Sequence, residues 1–163
     1  MYFRAWSIII LTISFRNKMR KPFSEAFYYT NVVASAFNAT SETDVNNVSM
    51  MCAPDVRLIR RTYPSVCKMS CTDGNCLSMQ TMELNGLTCI FAYSHYLRQS
   101  VKNNGVYVSD ARKCDTEGDT ELYMATIRFQ GSTGNFEFVT EGSLAVYVNS
   151  EGMITIMELF LQN

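Results

Sequence analysis

Cysteine and histidine are the residues of this chain that could bind a metal ion or form a covalent cross-link. Three of the six cysteines lie close together as Cys67-x3-Cys71-x4-Cys76, and the single histidine, His95, follows them. Structural zinc sites use paired C-x2-C spacings, which this cluster lacks. Zinc ligands, a disulfide within the cluster, and free thiols that act as small hydrophobic side chains are the alternatives. We favour free thiols and expect no metal ion and no cofactor.

Other short motifs for chemistry are absent or weak. The sequence has no glycine-rich phosphate loop and no Ser/His/Asp order typical of a hydrolase. Two triplets, Asn38-Ala39-Thr40 and Asn47-Val48-Ser49, match the N-glycosylation pattern, which matters only if the chain is secreted. Motifs alone therefore do not identify an enzyme class.

Composition limits the partners of this chain. It has 163 residues, of which 47% are hydrophobic and 12% aromatic, as is typical of one globular domain. Lys plus Arg number 14 and Asp plus Glu 15, so the formal charge is -1. Nucleic-acid backbones are bound by strongly basic surfaces. We therefore expect no nucleic-acid partner.

The first 22 residues differ from the rest of the chain. They contain no acidic residue and five basic ones, four of which follow a short apolar run, the reverse of a secretory signal. That run is shorter than the roughly 20 residues that cross a bilayer, so we expect no membrane span. We predict a basic extension over 1–22 and a folded domain over 23–163. An organelle presequence or a start at Met19 are alternatives, so a cytoplasmic and an organelle-imported protein both stay open.

Apolar spacing predicts three helices. The first begins at Phe23 behind Pro22, with apolar residues every three to four positions. The second has Ser41 as N-cap with Asp44 three residues later, and its apolar stripe extends to Cys52 before Pro54. The third and longest is expected from about Ser78 to Val101.

Strand signals occupy the remaining segments. Two short strands are expected over 55–61 and 65–70, on either side of Tyr63-Pro64, and four longer ones over 106–114, 121–130, 136–148 and 153–161. The short connections between the last four predict an antiparallel meander. Sheets of this size coil and must bury one face. The sequence therefore predicts an α+β fold, a cone-shaped curved antiparallel sheet wrapped around three helices, with a pocket inside the cone.

Three stretches, read in order, resemble one known family. Residues 36–40 (AFNAT) are similar to its helix and turn, 51–56 (MCAPDV) to its entry into the first strand, and 145–156 (AVYVNSEGMITI) to its closing hairpin. With the agreement in element order, the chain resembles the nuclear transport factor 2-like superfamily over about residues 23 to 161. That superfamily includes ketosteroid isomerase, scytalone dehydratase, polyketide cyclases and many noncatalytic proteins.

Because of this resemblance, the catalytic groups known from enzymes of the superfamily can be compared with the matching positions of this sequence. Ketosteroid isomerase uses an Asp base, with a Tyr and a protonated Asp that stabilise an oxyanion. The matching positions here carry Arg60 for the base, Val33 for the tyrosine and Leu144 for the second acid. Water elimination of the scytalone dehydratase type needs two histidines, and this chain has one. Both activities are therefore not expected.

Polyketide-cyclase-like relatives need only an acid–base group in an apolar cavity. Asp110 and His95 are the candidates we name for that role, with Glu137 and Glu158 as further carboxylates on later strands. General acid–base catalysis requires a perturbed group within hydrogen-bond reach of the substrate, which a sequence does not reveal. The catalytic residues are therefore left unassigned.

The resemblance favours a noncatalytic protein that binds a small apolar molecule or acts as a scaffold. The alternative is a polyketide-cyclase- or isomerase-like enzyme with a minimal Asp or His acid–base group. Arg60 either binds an anionic ligand or is solvated or paired with Glu158 on an outward strand face. We also expect a homodimer or larger assembly through the sheet face. The residues predicted to contact the ligand are Tyr29, Val33, Arg60, Phe91 and Leu144.

Overall fold

The computed structural model describes residues 22–63, 79–100, 102–114 and 118–162. Residues 1–21 of the predicted basic extension, the predicted strand 65–70 and the cysteine cluster lie outside these ranges. The elements in chain order are α1 (Pro22–Asn38), α2 (Glu42–Ser49), β1 (Cys52–Tyr63), β2 (Gln80–Asn85), α3 (Leu87–Ser100), β3 (Lys102–Cys114), β4 (Glu121–Thr133), β5 (Phe136–Val148) and β6 (Ile154–Gln162).

The described strands form one six-stranded sheet in the order β2-β1-β6-β5-β4-β3. Each neighbouring pair is antiparallel except β1 and β6, which are parallel. The predicted meander of the last four strands is confirmed. The sheet as a whole is mixed, because β6 returns beside a strand far away in sequence and no short hairpin fixes the relative direction of that pair.

The second helix is shorter than its apolar stripe predicted. Its capping box is present, since the Asp44 backbone N–H donates to Ser41 Oγ and the Ser41 N–H donates back to the Asp44 carboxylate. The helix ends at Ser49, and Cys52 already belongs to β1. Pro54 lies within β1, where the pairing with β6 shifts register between Cys52 and Arg57. The strand accommodates this proline because the irregular stretch needs no ladder N–H there.

The prediction that the third helix begins near Ser78 is wrong. Residues 80–85 form β2, in which Met82 and Leu84 are half-buried and alternate with exposed neighbours. Gly86 then has φ +80°, a left-handed value that favours glycine, and its N–H donates to the Val56 carbonyl at 2.8 Å. The helix begins only at Leu87. Half-buried and exposed side chains therefore alternate with the period of two that is typical of a strand. Gly86 separates this strand from the helix that follows.

The core lies between one face of the sheet, here called the inner face, and the helices α1 and α3. Inner-face side chains from four strands join Val33 of α1 and Ile90 of α3 in one buried cluster. These strand residues are Leu58, Tyr123, Leu144 and Leu159. The α+β cone predicted from sequence is confirmed. Among the described helices, none combines the length and the apolar character needed to cross a membrane.

Candidate ligand-binding site

The deepest part of the cone is filled by its own side chains. Val33 of α1 and Leu144 of β5 have 0% exposed surface, as do Ile90 and Ile127. A side chain with no exposed surface borders no space large enough for a water molecule, so these residues are close-packed. The structure therefore brings Val33 and Leu144 together in the core, and contact with a ligand there would require the core to open.

Tyr29 lies at one end of the cone in a polar cluster. It is 9% exposed, whereas its neighbour Tyr28 is 38% exposed, so Tyr29 is the inward member of the pair. Its ring stacks on Tyr123 with centroids 5.0 Å apart, and its hydroxyl donates to the Gly152 carbonyl at 3.4 Å. The Tyr123 hydroxyl donates to Glu121 at 2.7 Å, and Glu121 also pairs with Lys113. We call Tyr29, Tyr123, Glu121 and Lys113 the tyrosine cluster.

The charges of the tyrosine cluster are mutually satisfied. Hydrogen bonds from Lys113 and Tyr123 lower the pKa of Glu121. Burial, followed by the bond to Glu121, raises the pKa of Tyr123. A carboxylate with a lowered pKa is a weak base near neutral pH. Glu121 and Tyr123 were not among the predicted site residues, although the Glu-x-Tyr spacing on a strand places both side chains on one face.

Arg60 lies on the inner face, contrary to the expectation of a solvated or salt-bridged arginine. It follows buried Leu58 by two residues and pairs in register with Leu159, which is 1% exposed. Its Nη1 donates to the Tyr93 hydroxyl oxygen at 2.5 Å, and the guanidinium carbon lies 5.8 Å from the centre of that ring. Its Nε is buried, and none of the residues that the structure describes accepts a hydrogen bond from it.

Glu158 pairs with Arg61 rather than with Arg60. The Arg61 Nε donates to Glu158 at 2.5 Å on the opposite, outer face of the sheet. The alternation of side chains along a strand explains why Arg61, and not Arg60, is the partner. Glu158 is in register with Ile59 and therefore shares the face of Ile59 and Arg61. The predicted Arg60–Glu158 pair is thus excluded by the register, although both residues lie in adjacent strands.

Aromatic rings extend from Arg60 across the cone. Tyr93 of α3 meets Phe37 of α1 edge to face at 6.4 Å, and Phe37 meets Phe129 of β4 in the same way at 5.3 Å. Burial raises the pKa of Tyr93, while Arg60 opposes that shift, so its hydroxyl stays protonated at neutral pH. Leu97 of α3, Phe129 and Leu161 of β6 are half-buried and pack against the same core. We define the arginine site as Arg60, Tyr93, Leu97, Phe129 and Leu161.

Phe91 is half-buried on α3 and packs against the core. No sequence pattern selects Tyr93, which lies two residues further along α3 and contacts Arg60. An arginine on the buried face of a strand needs a polar partner, and that requirement is the signal that could have pointed to a tyrosine on the facing helix.

The two acid–base candidates lie at the surface. His95 is exposed on α3, and one of its ring nitrogens is 2.9 Å from Gln99 Nε2. Asp110 is exposed on β3 with φ +55°, where the pairing with β4 shifts register, and it accepts a hydrogen bond from Ser109 at 2.9 Å. Glu137 is also exposed. The structure does not bring these groups together at the interior.

A groove of about 430 Å³ lies outside the cone, between α1, α2 and β3. Asn38, which the sequence offered as a glycosylation acceptor, borders this groove and holds β3. Its Nδ2 donates to the Val106 carbonyl at 2.7 Å, and its Oδ1 accepts from the Val106 N–H at 2.9 Å. Since β3 is an edge strand, the Asn38 amide takes the place of a neighbouring strand at that point.

Three cysteines in the described ranges are free thiols: Cys52 is buried, Cys89 exposed and Cys114 half-buried. Burial raises the pKa of Cys52 to about 12, so its thiol is protonated and unreactive at neutral pH. Within the part of the chain that the structure describes, no group of three or more His, Cys, Asp or Glu side chains is placed to hold a metal ion.

Comparisons with known proteins identify the fold. No protein-family model matches the sequence, and a search of curated proteins found no match. The structure is similar to the beta subunit assigned to an aromatic-ring-hydroxylating dioxygenase from Novosphingobium aromaticivorans, with a TM-score of 0.55 and 9% identity over 86% of this chain and 89% of that one. It is also similar to a nuclear transport factor 2-like protein of unknown function from Exiguobacterium, with a TM-score of 0.51 and 13% identity over 82% and 93%.

A third similar structure is AusH from Aspergillus nidulans, with a TM-score of 0.50 and 20% identity over 84% of this chain and 83% of that one. Identities this low establish architecture and leave function open, because one fold supports many activities. The cone, the three helices and the meander of the last four strands agree with the resemblance drawn from the sequence. This chain has the nuclear transport factor 2-like fold.

Proposed function

We propose that this chain is a noncatalytic protein that binds a small, mainly apolar molecule at the arginine site. The observation that supports this proposal is the composition of the inner face. Val33 and Leu144, at positions where related enzymes are expected to carry polar groups, are fully buried and apolar. The half-buried side chains of the arginine site offer the ligand a surface that is mostly apolar with one charged group.

The enzyme alternative has less support. His95 and Asp110 are exposed, and Glu121 is engaged with Lys113 and Tyr123. Among the described residues of the inner face, no carboxylate or imidazole combines burial with a raised pKa, which is the usual condition for proton transfer near neutral pH. Turnover of an enolisable ketone by the purified chain, abolished by Asp110→Asn or His95→Gln, would support the enzyme instead.

Ligand binding is tested by thermal unfolding in the presence of small apolar compounds. A ligand at 100 times its Kd adds about 2.7 kcal/mol to the free energy of unfolding, which raises the Tm by about 5–10 °C in a domain of this size. We expect such a shift for at least one class of compound, and a smaller one in Phe129→Ala at equal ligand concentration. Val139→Ala, at an exposed position of β5, is the matched control.

An unchanged Tm across aromatic and aliphatic compounds would contradict the proposal. So would a full shift in Phe129→Ala, because the ligand would then bind elsewhere. Since Phe129→Ala also lowers the Tm of the free chain, each shift is measured against the same variant without ligand.

We further propose that the outer face of the sheet binds a second copy of this chain. The described helices pack on the inner face, and the outer face carries half-buried apolar side chains around the Arg61–Glu158 pair. Glu158 is 9% exposed there, so further contact requires little additional desolvation of its carboxylate. The apolar side chains are Ile59, Leu122, Met124, Tyr147, Ile156 and Phe160.

Sedimentation at tens of micromolar protein tests this assembly. We expect a dimer for the unmodified chain and a monomer for Ile156→Lys, because a cation at the centre of an apolar interface is left unpaired. Thr43→Lys, at an exposed position of α2, is the control and should stay dimeric. A monomer at that concentration for the unmodified chain would contradict the proposal.

A further inference from the structure

The groove outside the cone is a second candidate site, separate from the arginine site. It lies between α1, α2 and the edge strand β3 and has a volume of about 430 Å³, a size typical of sites for small molecules. Phe27, Asn31 and Ser35 are four residues apart on α1, so they lie on the same side of that helix, along the groove. Asn47 of α2 and Val108 of β3 border it from the other sides.

Three side chains that border this groove carry polar groups that the described part of the chain does not use. Asn31 and Ser35 are half-buried and Asn47 is exposed, and no described residue hydrogen-bonds to their side chains. Asn38 differs, because its amide binds Val106. A side-chain amide has two donors and an acceptor oxygen, and a hydroxyl both donates and accepts. Donors and acceptors therefore meet in one concave surface.

The edge of β3 adds a backbone donor and a backbone acceptor. The N–H and C=O of Val106 point away from β4, since both bind Asn38. Backbone groups alternate between the two sides of an antiparallel strand, and the pairing of β3 with β4 is regular from Val106 to Ser109. The N–H and C=O of Val108 therefore also point away from β4, and Val108 borders the groove. Within the described ranges, no residue pairs with these two groups.

The charge of the groove narrows the class of ligand. Asp44 is the one charged residue among the described residues that line it, and Arg98, which binds the Ala39 carbonyl, is not a lining residue. The Thr40 and Ser41 N–H groups both donate to Asp44 Oδ2, at 3.1 and 3.0 Å, and they lower the pKa of this carboxyl group. No described residue donates to its Oδ1. These backbone donors and the N-terminus of α2 already compensate the charge, so a hydroxyl suffices as partner and an anion is repelled.

We propose that this groove binds a neutral sugar, with its hydroxyl groups on Asn31, Ser35 and Asn47 and an apolar face of its ring on Phe27. Each sugar hydroxyl both donates and accepts, as the groups of the groove do together, whereas a carboxylate only accepts and an ammonium group only donates. The Phe27 ring is 44% exposed, and its negative face attracts the C–H groups of a sugar. This inference goes beyond the proposed function and does not rest on it, because the groove and the arginine site share no residue.

Binding is tested on the unmodified, isotope-labelled chain by titration with the methyl glycosides of glucose, galactose and mannose. NMR resolves side-chain amide signals, so Asn31 and Asn47 report on the groove directly. We expect at least one glycoside to shift both signals, with a Kd on the order of a millimolar for a ligand of about a dozen heavy atoms. Glycerol at equal hydroxyl concentration has no ring face and should shift them much less.

Variants assign the binding to the groove. Asn31→Ala and Asn47→Ala identify the two signals by their loss, and each should weaken binding by about 3- to 10-fold because hydrogen bonds are lost. Phe27→Ala should weaken it by a similar factor. Asn46→Ala and Phe136→Ala are the matched controls and should keep the affinity, since both residues are exposed and neither borders the groove. Thermal unfolding without sugar verifies that each variant is folded.

Charged forms of the same ring test the preference for a neutral ligand. The uronate of the sugar that binds should bind more weakly than the sugar itself, because Asp44 repels it. The 2-amino form should bind within about 5-fold of the sugar, since an exposed ion pair contributes little. A stronger preference for the amino form would show that the groove selects a cation, and the assignment to neutral sugars would be overturned.

Three further results would overturn the inference. The first is the absence of any shift at Asn31 and Asn47 with all three glycosides at about 100 mM, far above the expected Kd. The second is an unchanged affinity in folded Asn31→Ala. The third is a shift of the Leu97 and Leu161 methyl signals instead, which would place the sugar at the arginine site without contradicting the proposed function.

Discussion

Arg60 and Arg61 are consecutive residues with opposite environments. Arg60 contacts Tyr93 on the inner face, and Arg61 pairs with Glu158 on the outer face. Strand alternation places Arg60 on the face of Val56 and Leu58, but the expectation was a solvated or salt-bridged arginine on an outward face, and the sequence did not identify the partner. That partner depends on how α3 lies over β1, which is a tertiary contact that no local pattern encodes.

Cys52 and Cys89 should differ strongly in reactivity. Burial raises the pKa of Cys52 to about 12, so about one thiol in 10⁴ is ionised at pH 8, and the side chain is 3% exposed. We expect iodoacetamide to label Cys89 at least about 100-fold faster than Cys52 in the folded chain. Peptide mapping by mass spectrometry measures both rates, and denaturant should equalise them. Equal rates under native conditions would contradict the buried position of Cys52.

Glu121 should contribute stability that is lost in acid. Its folded pKa is lowered by Lys113 and Tyr123, so the contribution is fully present above the unfolded pKa of about 4.3 and disappears as the pH falls through the lower folded value. Its side chain is 41% exposed, and solvent screening keeps the effect below about 1 kcal/mol.

Urea unfolding of the unmodified chain and of Glu121→Gln at pH 7 and pH 3 measures this contribution. The difference between the two proteins should be positive at pH 7 and smaller at pH 3. Glu137→Gln, at an exposed position of β5, is the matched control. A difference that grows toward low pH would mean that the sign of the pKa shift is wrong.

At the scale of elements, α1 supports the edge of the sheet through Asn38. The sequence predicted α1 and the cap of α2 correctly, because both depend on local spacing and on a side chain three residues away. It could not show that Asn38 binds Val106, since the two residues are far apart in sequence. The same dependence on distant residues explains why β2 was predicted as part of the third helix. This short strand is specified by its pairing with β1, which local spacing does not show.

Asn38→Ala should lower the free energy of unfolding by about 1–2 kcal/mol, since two hydrogen bonds to the backbone of Val106 are lost at a position where Val106 is only 2% exposed. Asn31→Ala, at a position on the same helix that borders the groove, is the control and should change it by less than about 0.5 kcal/mol. Chemical denaturation measures both. Faster hydrogen exchange at Val106 in Asn38→Ala alone would assign the loss to this contact.

An unchanged free energy of unfolding in Asn38→Ala would contradict the role of the amide at the edge strand. A loss of similar size in Asn31→Ala would instead indicate that the helix surface, and not the Asn38–Val106 contact, determines the effect.

At the scale of the whole molecule, the cone could be predicted because its elements follow the sequence order of a known fold. The parallel pairing of β1 with β6 and the packing of the interior could not, since each depends on many distant contacts at once. Val33 and Leu144 were selected as ligand contacts from wall positions in relatives. In this chain their apolar side chains are close-packed in the interior, which is why we propose that a ligand binds at the arginine site instead.

The central claim is that a ligand binds at the arginine site while the deep interior stays packed. Methyl NMR of the chain with and without a saturating apolar compound that raises its Tm tests it directly. We predict that the Leu97 and Leu161 methyl signals shift and show nuclear Overhauser contacts to the ligand, while those of Val33 and Leu144 stay in place. Ligand contacts to Val33 and Leu144, with Leu97 and Leu161 unaffected, would contradict the account.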